Sequence, residues 1–297
     1  MRRIAYLVSS NVIEGRPEAR CDAHELTAQM KAIDPACRDA GFALETIVWD
    51  EGFEPEHYEA VIVGPAWDYW DKSARFLDVL SAASASRPLL NPVDVVRWNM
   101  DKTYLRDLAR LGAPVIETLW AEAATPEVIG AAFEALGSDD LVIKPVIGAG
   151  AWRQARVKRG EPLPDPALLP PERAMIQAFL PSIAEEGEYS FLFFGGEHSH
   201  TVIKRPASGD YRIQGSYGGV DTPHVSSPAD IALARQCLEA ACTHCGVETL
   251  LYARVDMVRG GDGALKLMEI ELIEPFYYPD NAPGMGEVFA RALSKAL

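Results

Sequence analysis

Across the first 90 residues, short apolar runs alternate with longer amphipathic stretches, and this rhythm restricts the possible folds more than any other feature of the chain. Residues 4–8, 44–49, 60–63 and 88–90 have the length and apolar character of buried strands. Between them, residues 22–40 and 73–83 repeat apolar side chains at helical spacing. Strands that alternate with helices build a parallel sheet, so the expectation here is a small parallel α/β unit. In such sheets ligands bind beyond the carboxyl ends of the strands, which makes Ser9, Ser10 and the segment Pro65-Ala66-Trp67-Asp68-Tyr69-Trp70 candidate ligand loops. Clustered Trp and Tyr more often pack a domain junction, and the segment suits that use as well.

The pattern then changes. Residues 101–111 read as a helix closed by Gly112, followed by a strand at 114–120 and a helix at 125–136 closed by Gly137. Strands at 141–144, 154–157 and 174–179 make this piece α+β with a more antiparallel sheet. The proline-rich stretch 162–171 is an irregular connection. From Glu188 two strands flank the turn Gly195-Gly196, and a long loop runs to Pro228. A helix over 229–245, strands at 252–258 and 265–270 and a terminal helix at 286–296 complete the chain. Three units follow: an N-terminal α/β substrate-side unit over 1–95, a central one over 96–190 and a C-terminal one over 191–297.

Charge and composition exclude several functions. With 28 Lys plus Arg against 43 Asp plus Glu, the net charge is −15, a field that repels nucleic acid and anionic lipid. Neither partner is expected. Five cysteines are an odd number without the dense spacing of a disulfide framework, which points to reduced thiols in a cytoplasm. Cys242 and Cys245 flank His244, but no second pair completes a zinc site, and buried helical cysteines are the better reading. No signal peptide is expected at residues 1–10, and no run approaches the roughly 20 apolar residues of a membrane span.

Three local patterns carry chemistry. In Val142-Ile143-Lys144-Pro145-Val146-Ile147-Gly148-Ala149-Gly150-Ala151, a strand delivers a lysine and breaks into small residues, so backbone N–H groups can approach phosphate oxygens beside an ammonium. It is not a Walker A loop, since no Lys-Ser/Thr follows the glycines. Asp256, Glu269 and Glu271 form the second pattern: period-2 alternation and a hairpin turn over 259–263 put all three on one sheet face, where a cation such as Mg²⁺ relieves their repulsion. A solvated strand face is the plain alternative. The third is the Gly- and Ser-containing loop 204–219, from which Arg212 can reach a phosphate.

In order and spacing these pieces resemble the ATP-grasp superfamily, in its glutathione-synthetase-like branch. The matching string spans roughly residues 90–290: Asn91-Pro92, Trp98-Asn99-Met100-Asp101-Lys102, Val142 to Ala151, Gln177-Ala178-Phe179-Leu180-Pro181, Gly187-Glu188, the loop 204–219, Arg254-Val255-Asp256 and Glu269-Ile270-Glu271. A closer likeness is to the O-ureido-serine cyclo-ligase group, in Trp67-Asp68-Tyr69, Arg97-Trp98-Asn99 and Ile270-Glu271-Leu272-Ile273-Glu274-Pro275. The resemblance implies an ATP-grasp fold behind an N-terminal parallel α/β domain, and an ADP-forming ligase that joins a small carboxylate to an amine through an acyl phosphate, between or within molecules. It implies that Lys102, Lys144 and Arg212 contact phosphates, with Lys144 and Arg212 also serving catalysis, under the loop of Gly148, Gly150 and Ala151. Gln177, Phe179 and Leu180 would line the adenine pocket, with Glu188 at the ribose. Asp256, Glu269 and Glu271 would hold two Mg²⁺ ions, with Mn²⁺ as a substitute, and a homodimer follows from family analogy. Glu271 stands where the family usually has Asn, and Ser190 where it often has Arg. The rival readings are a nucleotide-binding module of the same fold without chemistry, and a small-molecule phosphotransferase.

Overall fold

The computed structural model describes residues 1–213 and 215–297. Strands β1 (Arg2–Val8), β2 (Phe42–Val48), β3 (Ala60–Val63) and β4 (Leu89–Leu90) form an entirely parallel sheet in the order β2-β1-β3-β4. Helices α1 (His24–Asp39) and α2 (Ser73–Ser86) make the crossovers. Alternation along β1 explains why a continuously apolar strand is needed. Ile4, Tyr6 and Val8 pack with Leu26 and Ile33 of α1, whereas Ala5 and Leu7 pack with Phe76 and Leu80 of α2.

The helix expected over 101–111 begins only at Tyr104, as α4 (Tyr104–Arg110), and a separate helix that was not expected, α3 (Val93–Asn99), precedes it. Asp101 accepts from the Thr103 N–H at 2.9 Å, and the Lys102 N–H donates to Val146 O at 3.0 Å, so the interruption pins Lys102 to the chain after Pro145. Next come β5 (Thr118–Ala121), α5 (Pro126–Ala135), β6 (Asp140–Pro145), β7 (Ala155–Lys158) and β8 (Ala174–Ala178). These strands form an antiparallel sheet ordered β5-β8-β6-β7. Thr125 caps α5 by accepting from Val128 N, and Pro126 opens it.

After a single turn, α6 (Ser182–Glu185), the chain forms β9 (Glu188–Phe194), β10 (Glu197–Arg205), β11 (Val220–His224), α7 (Pro228–Cys245), β12 (Tyr252–Arg259) and β13 (Leu265–Glu271). This third sheet is antiparallel in the order β11-β10-β9-β12-β13. β11 corrects the expectation of an unbroken loop to Pro228. It is a short edge strand whose Pro223 is tolerated because one side needs no ladder bond. Gln214, in the same expected loop, lies outside the described residues. Helix α7 carries Cys237, Cys242 and Cys245, and its His244 stacks on Trp98 with centroids 4.8 Å apart. The last helix, α8 (Met285–Ala296), crosses α1 so tightly that a Cβ on Gly286 would meet Ala32 O at 2.0 Å. Its Phe289 and Leu293 share a core with β1 and with Phe194 of β9, which ties the first sheet to the third. Among the described residues no helix is long and apolar enough to cross a membrane.

Candidate active site

A cavity of about 580 Å³ lies between the second and third sheets, bordered by residues 20–25 and 67–70 of the N-terminal unit. Lys102, Lys144, Gly148, Gly150, Ala151, Gln177, Phe179, Leu180, Glu188, Arg212, Asp256, Glu269 and Glu271 all line it. Trp67, Tyr69 and Trp70 of the N-terminal unit reach the same wall, and Trp70 also packs on Trp152, centroids 5.3 Å apart. Thus the aromatic segment both lines the cavity and seals a junction. Ser9 does neither. Its buried hydroxyl donates to Asn11 Oδ1 at 2.6 Å and lies 3.2 Å from Pro65 O, bracing the end of β1 away from the cavity.

One wall is cationic and rests on β6. Leu141 and Ile143 point into the core under α5, so Val142 and Lys144 turn to the cavity. Lys144 forms no ion pair among the described residues. Burial lowers its pKa, while Glu269 and Glu188 favour its charge. Past Pro145 the chain enters left-handed conformations at Gly150 (φ +61) and Ala151 (φ 58), a costly state for alanine that re-aims the backbone over the cavity. Lys102 fastens this loop, donating to Gly148 O at 2.7 Å and pairing with Glu269 at 3.0 Å. Deeper in, Gln177 donates to Thr118 Oγ1 at 2.9 Å, and the Arg156 guanidinium lies 3.5 Å over the Phe179 ring.

The opposite wall is the face shared by β9, β10, β12 and β13. Asp256 is registered opposite Glu269 and Arg254 opposite Glu271, so the expected hairpin does bring the three carboxylates onto one face. The face carries its own cations, however. Lys204 pairs with Glu188 and lies 3.5 Å from Asp256; Arg254 pairs with Asp256 at 3.0 Å and with Glu271. Ser190, where the family often has Arg, hydrogen-bonds Asp256. Burial opposes ionisation of Asp256, but Arg254 and Lys204 outweigh it and hold the carboxyl below its usual range. For Glu188 and Glu271 burial wins and both are pushed up. Among the described residues no group of three or more acidic, His or Cys side chains converges as a ready-made metal cage.

Lys204, Arg254 and Glu274 are site residues that the sequence reading passed over. For two of them a signal existed: Arg254 and Asp256 are two apart on one strand and therefore share a face. Lys204 stands in register with Glu188 across the β9–β10 hairpin around Gly195-Gly196. Arg212 lines the cavity with its guanidinium engaged, donating to Asp210 at 2.7 Å and lying 3.7 Å over the Tyr217 ring.

Residues 4–91 match the family model of the N-terminal domain of D-cycloserine synthetase DcsG. Over 288 residues the chain is 31% identical to the cycloserine biosynthesis protein DcsG of Streptomyces lavendulae, covering 90% of this chain and 93% of that one. Among solved structures, D-cycloserine synthetase DcsG superposes with a TM-score of 0.84 at 24% identity, covering 99% of both chains. The D-alanine–D-alanine ligase of Bacillus anthracis superposes with a TM-score of 0.62 at 16% identity, covering 99% of this chain and 95% of that one. Its complex with ATP is a further match, at a TM-score of 0.62.

Proposed function

The chain belongs to the DcsG family of ATP-grasp ligases, and from that premise we propose that it closes a ring within an amino-acid-like substrate, giving cycloserine or a close analogue. The observation that carries this reading is the shared cavity. Side chains of the N-terminal unit, the lysine wall and the acidic face all border one enclosure, where the activated carboxylate and the attacking nitrogen of one small molecule both fit.

The residues present suit Mg²⁺ and ATP. Carboxylate oxygens are the donors a hard cation takes, and Glu269 keeps a third of its side chain exposed toward the cavity. Asp256, Glu269 and Glu271 would hold the metal, which we take as two Mg²⁺ ions with Mn²⁺ as a substitute. Mg²⁺-ATP, when bound, supplies the phosphoryl group that turns the substrate carboxylate into an acyl phosphate. Lys144, without a counter-ion among the described residues, offers its charge to phosphate oxygens. Lys102 contributes from the loop it fastens, and Gly148, Gly150 and Ala151 cover the site and keep water from the activated acyl group. Gln177, Phe179 and Leu180 form the adenine side, with Glu188 beside the ribose. Arg212, once released from Asp210, is the guanidinium group available to the oxyanion that develops as nitrogen attacks. We also propose the division 1–95, 96–190 and 191–297, the last boundary falling inside β9 (Glu188–Phe194), and, by family analogy, a homodimer.

ADP and phosphate release with O-ureido-serine, followed by identification of the product, tests the reading. ADP formed with one equivalent of cyclic product, the carbamoyl group leaving with water as CO₂ and ammonia, and all of it lost in Glu269→Gln and Lys144→Ala, is expected. ADP formed with a stable phosphorylated product and no ring would overturn ring closure in favour of phosphotransfer.

A further inference from the structure

The carboxyl groups of Glu188, Asp256 and Glu271 are answered by protein cations, and that of Glu274 is not. It is 8% exposed and lines the cavity. Among the described residues its side chain makes no hydrogen bond or ion pair; only its main-chain carbonyl is engaged, accepting from the Trp67 indole N–H at 3.1 Å. Burial, then Glu271 and Glu269, hold its carboxyl well above the usual range, while Arg254 and Lys102 favour the charge. A carboxyl left without a partner at that depth costs free energy that the fold does not recover internally, as befits a group kept for a ligand.

The surroundings narrow the ligand. Glu269 and Glu271 lie close enough to act on Glu274, but they pair with Lys102 and Arg254, so the carboxyl left over for a cation is that of Glu274 itself. Trp67 and Tyr69 line the same cavity, Tyr69 within reach of the Glu274 charge, and the Trp67 ring already carries the Arg20 guanidinium at 5.2 Å. A carboxylate beside aromatic faces is a composition that receives organic cations. Distance along the substrate agrees with this. An α-ammonium is two bonds from the carboxylate to be activated, so its seat must adjoin the acidic strand face, and Glu274 follows Glu271 by three residues. We propose that Glu274 receives the substrate's α-ammonium group, with Trp67 and Tyr69 beside it. The proposal rests on the cyclo-ligase reading for the amino-acid nature of the substrate.

The test is calorimetric titration of the Mg²⁺-ADP-loaded protein with D-cycloserine and with isoxazolidin-3-one, the same ring lacking the amino group. Wild type is expected to prefer D-cycloserine by about ten-fold or more, as a charged hydrogen bond is worth. Glu274→Gln should bind both rings alike with Mg²⁺-ADP affinity unchanged, and Glu274→Asp should restore part of the preference. A wild type that binds both rings equally overturns the subsite and leaves the ligase reading standing, and this comparison does not depend on how the variant folds. Glu274→Gln that keeps the preference makes the group a neutral donor, and loss of Mg²⁺-ADP binding makes it a metal holder; either overturns the proposal. Wild type that binds Mg²⁺-ADP but neither ring removes the cyclo-ligase reading together with the subsite.

Discussion

The two walls of the cavity solve the problem of buried charge in opposite ways. On the wall built from β9, β10 and β12, Lys204 is 6% exposed and lies between Glu188 and Asp256, which raise its pKa against the opposing effect of burial. On the β6 wall, Lys144 has no ion-pair partner among the described residues, and burial lowers its pKa. The same residue type therefore closes a network on one wall and leaves a charge open on the other. A charge that the fold neutralises contributes to stability, and one that it leaves open is available to a phosphate.

The largest effect should separate the two lysines. Lys204→Met strands Glu188 and Asp256 without their shared cation and should lower stability by about 3–5 kcal/mol in urea denaturation. Lys144→Met removes a half-buried charge that has no ion-pair partner among the described residues. Its midpoint should hold or rise, while kcat/KM falls by about 10²–10³-fold, the effect of deleting one charge-stabilising donor. If both variants lost stability equally, the contrast between the walls would be gone.

How much of this was legible depended on whether a residue's partner lay nearby in sequence. The parallel sheet was legible because each strand needs apolar residues on both faces, and Ile4 to Val8 supply them. Lys144, Glu269 and Glu271 were legible from strand alternation and the adjoining glycines. Arg254 was passed over because a basic residue in a strand reads as solvent-facing unless its register is known, and Lys204 because it reads as the start of the loop 204–219, whereas β10 runs on to Arg205. Register across β9, β10 and β12 joins residues 188, 204 and 256. β11 was missed because Pro223 and the glycines before it read as loop. The docking of α8 on α1 depends on the contact of Gly286 with Ala32, 254 positions apart and invisible to local pattern.

A smaller, pH-dependent effect sits at the cavity mouth. Burial, then Asp22 and Asp221, raise the Glu25 carboxyl from 4.5 to about 7, against Arg20 and Arg254. The folded state thus holds this proton where the unfolded chain has released it. The stabilisation is complete below pH 4.5 and is lost as pH rises through 7. Glu25→Gln mimics the protonated form, so thermal melts should match wild type in acid and show the variant gaining by about 1 kcal/mol as pH rises, after solvent screening. A constant offset at every pH would mean that Glu25 belongs electrostatically to the closed wall.

The smallest effect concerns the arginine that lies between the two strategies. Arg212 lines the cavity like Lys144, yet its guanidinium is engaged like that of Arg254, by Asp210 at 2.7 Å and the Tyr217 face at 3.7 Å. Arg212 and backbone hydrogen bonds hold the Asp210 carboxyl below its usual range. The pair is partly exposed, so its breakage is worth about 0.2–1 kcal/mol and the melting temperature should barely move. If the contact competes with ATP for the guanidinium, Asp210→Asn should lower KM for ATP by about two- to five-fold at unchanged kcat, that same energy read as affinity. A rise in KM would show instead that Asp210 aims Arg212 at the nucleotide, which would place this loop with the pre-paired wall and leave Lys144 as the main open charge.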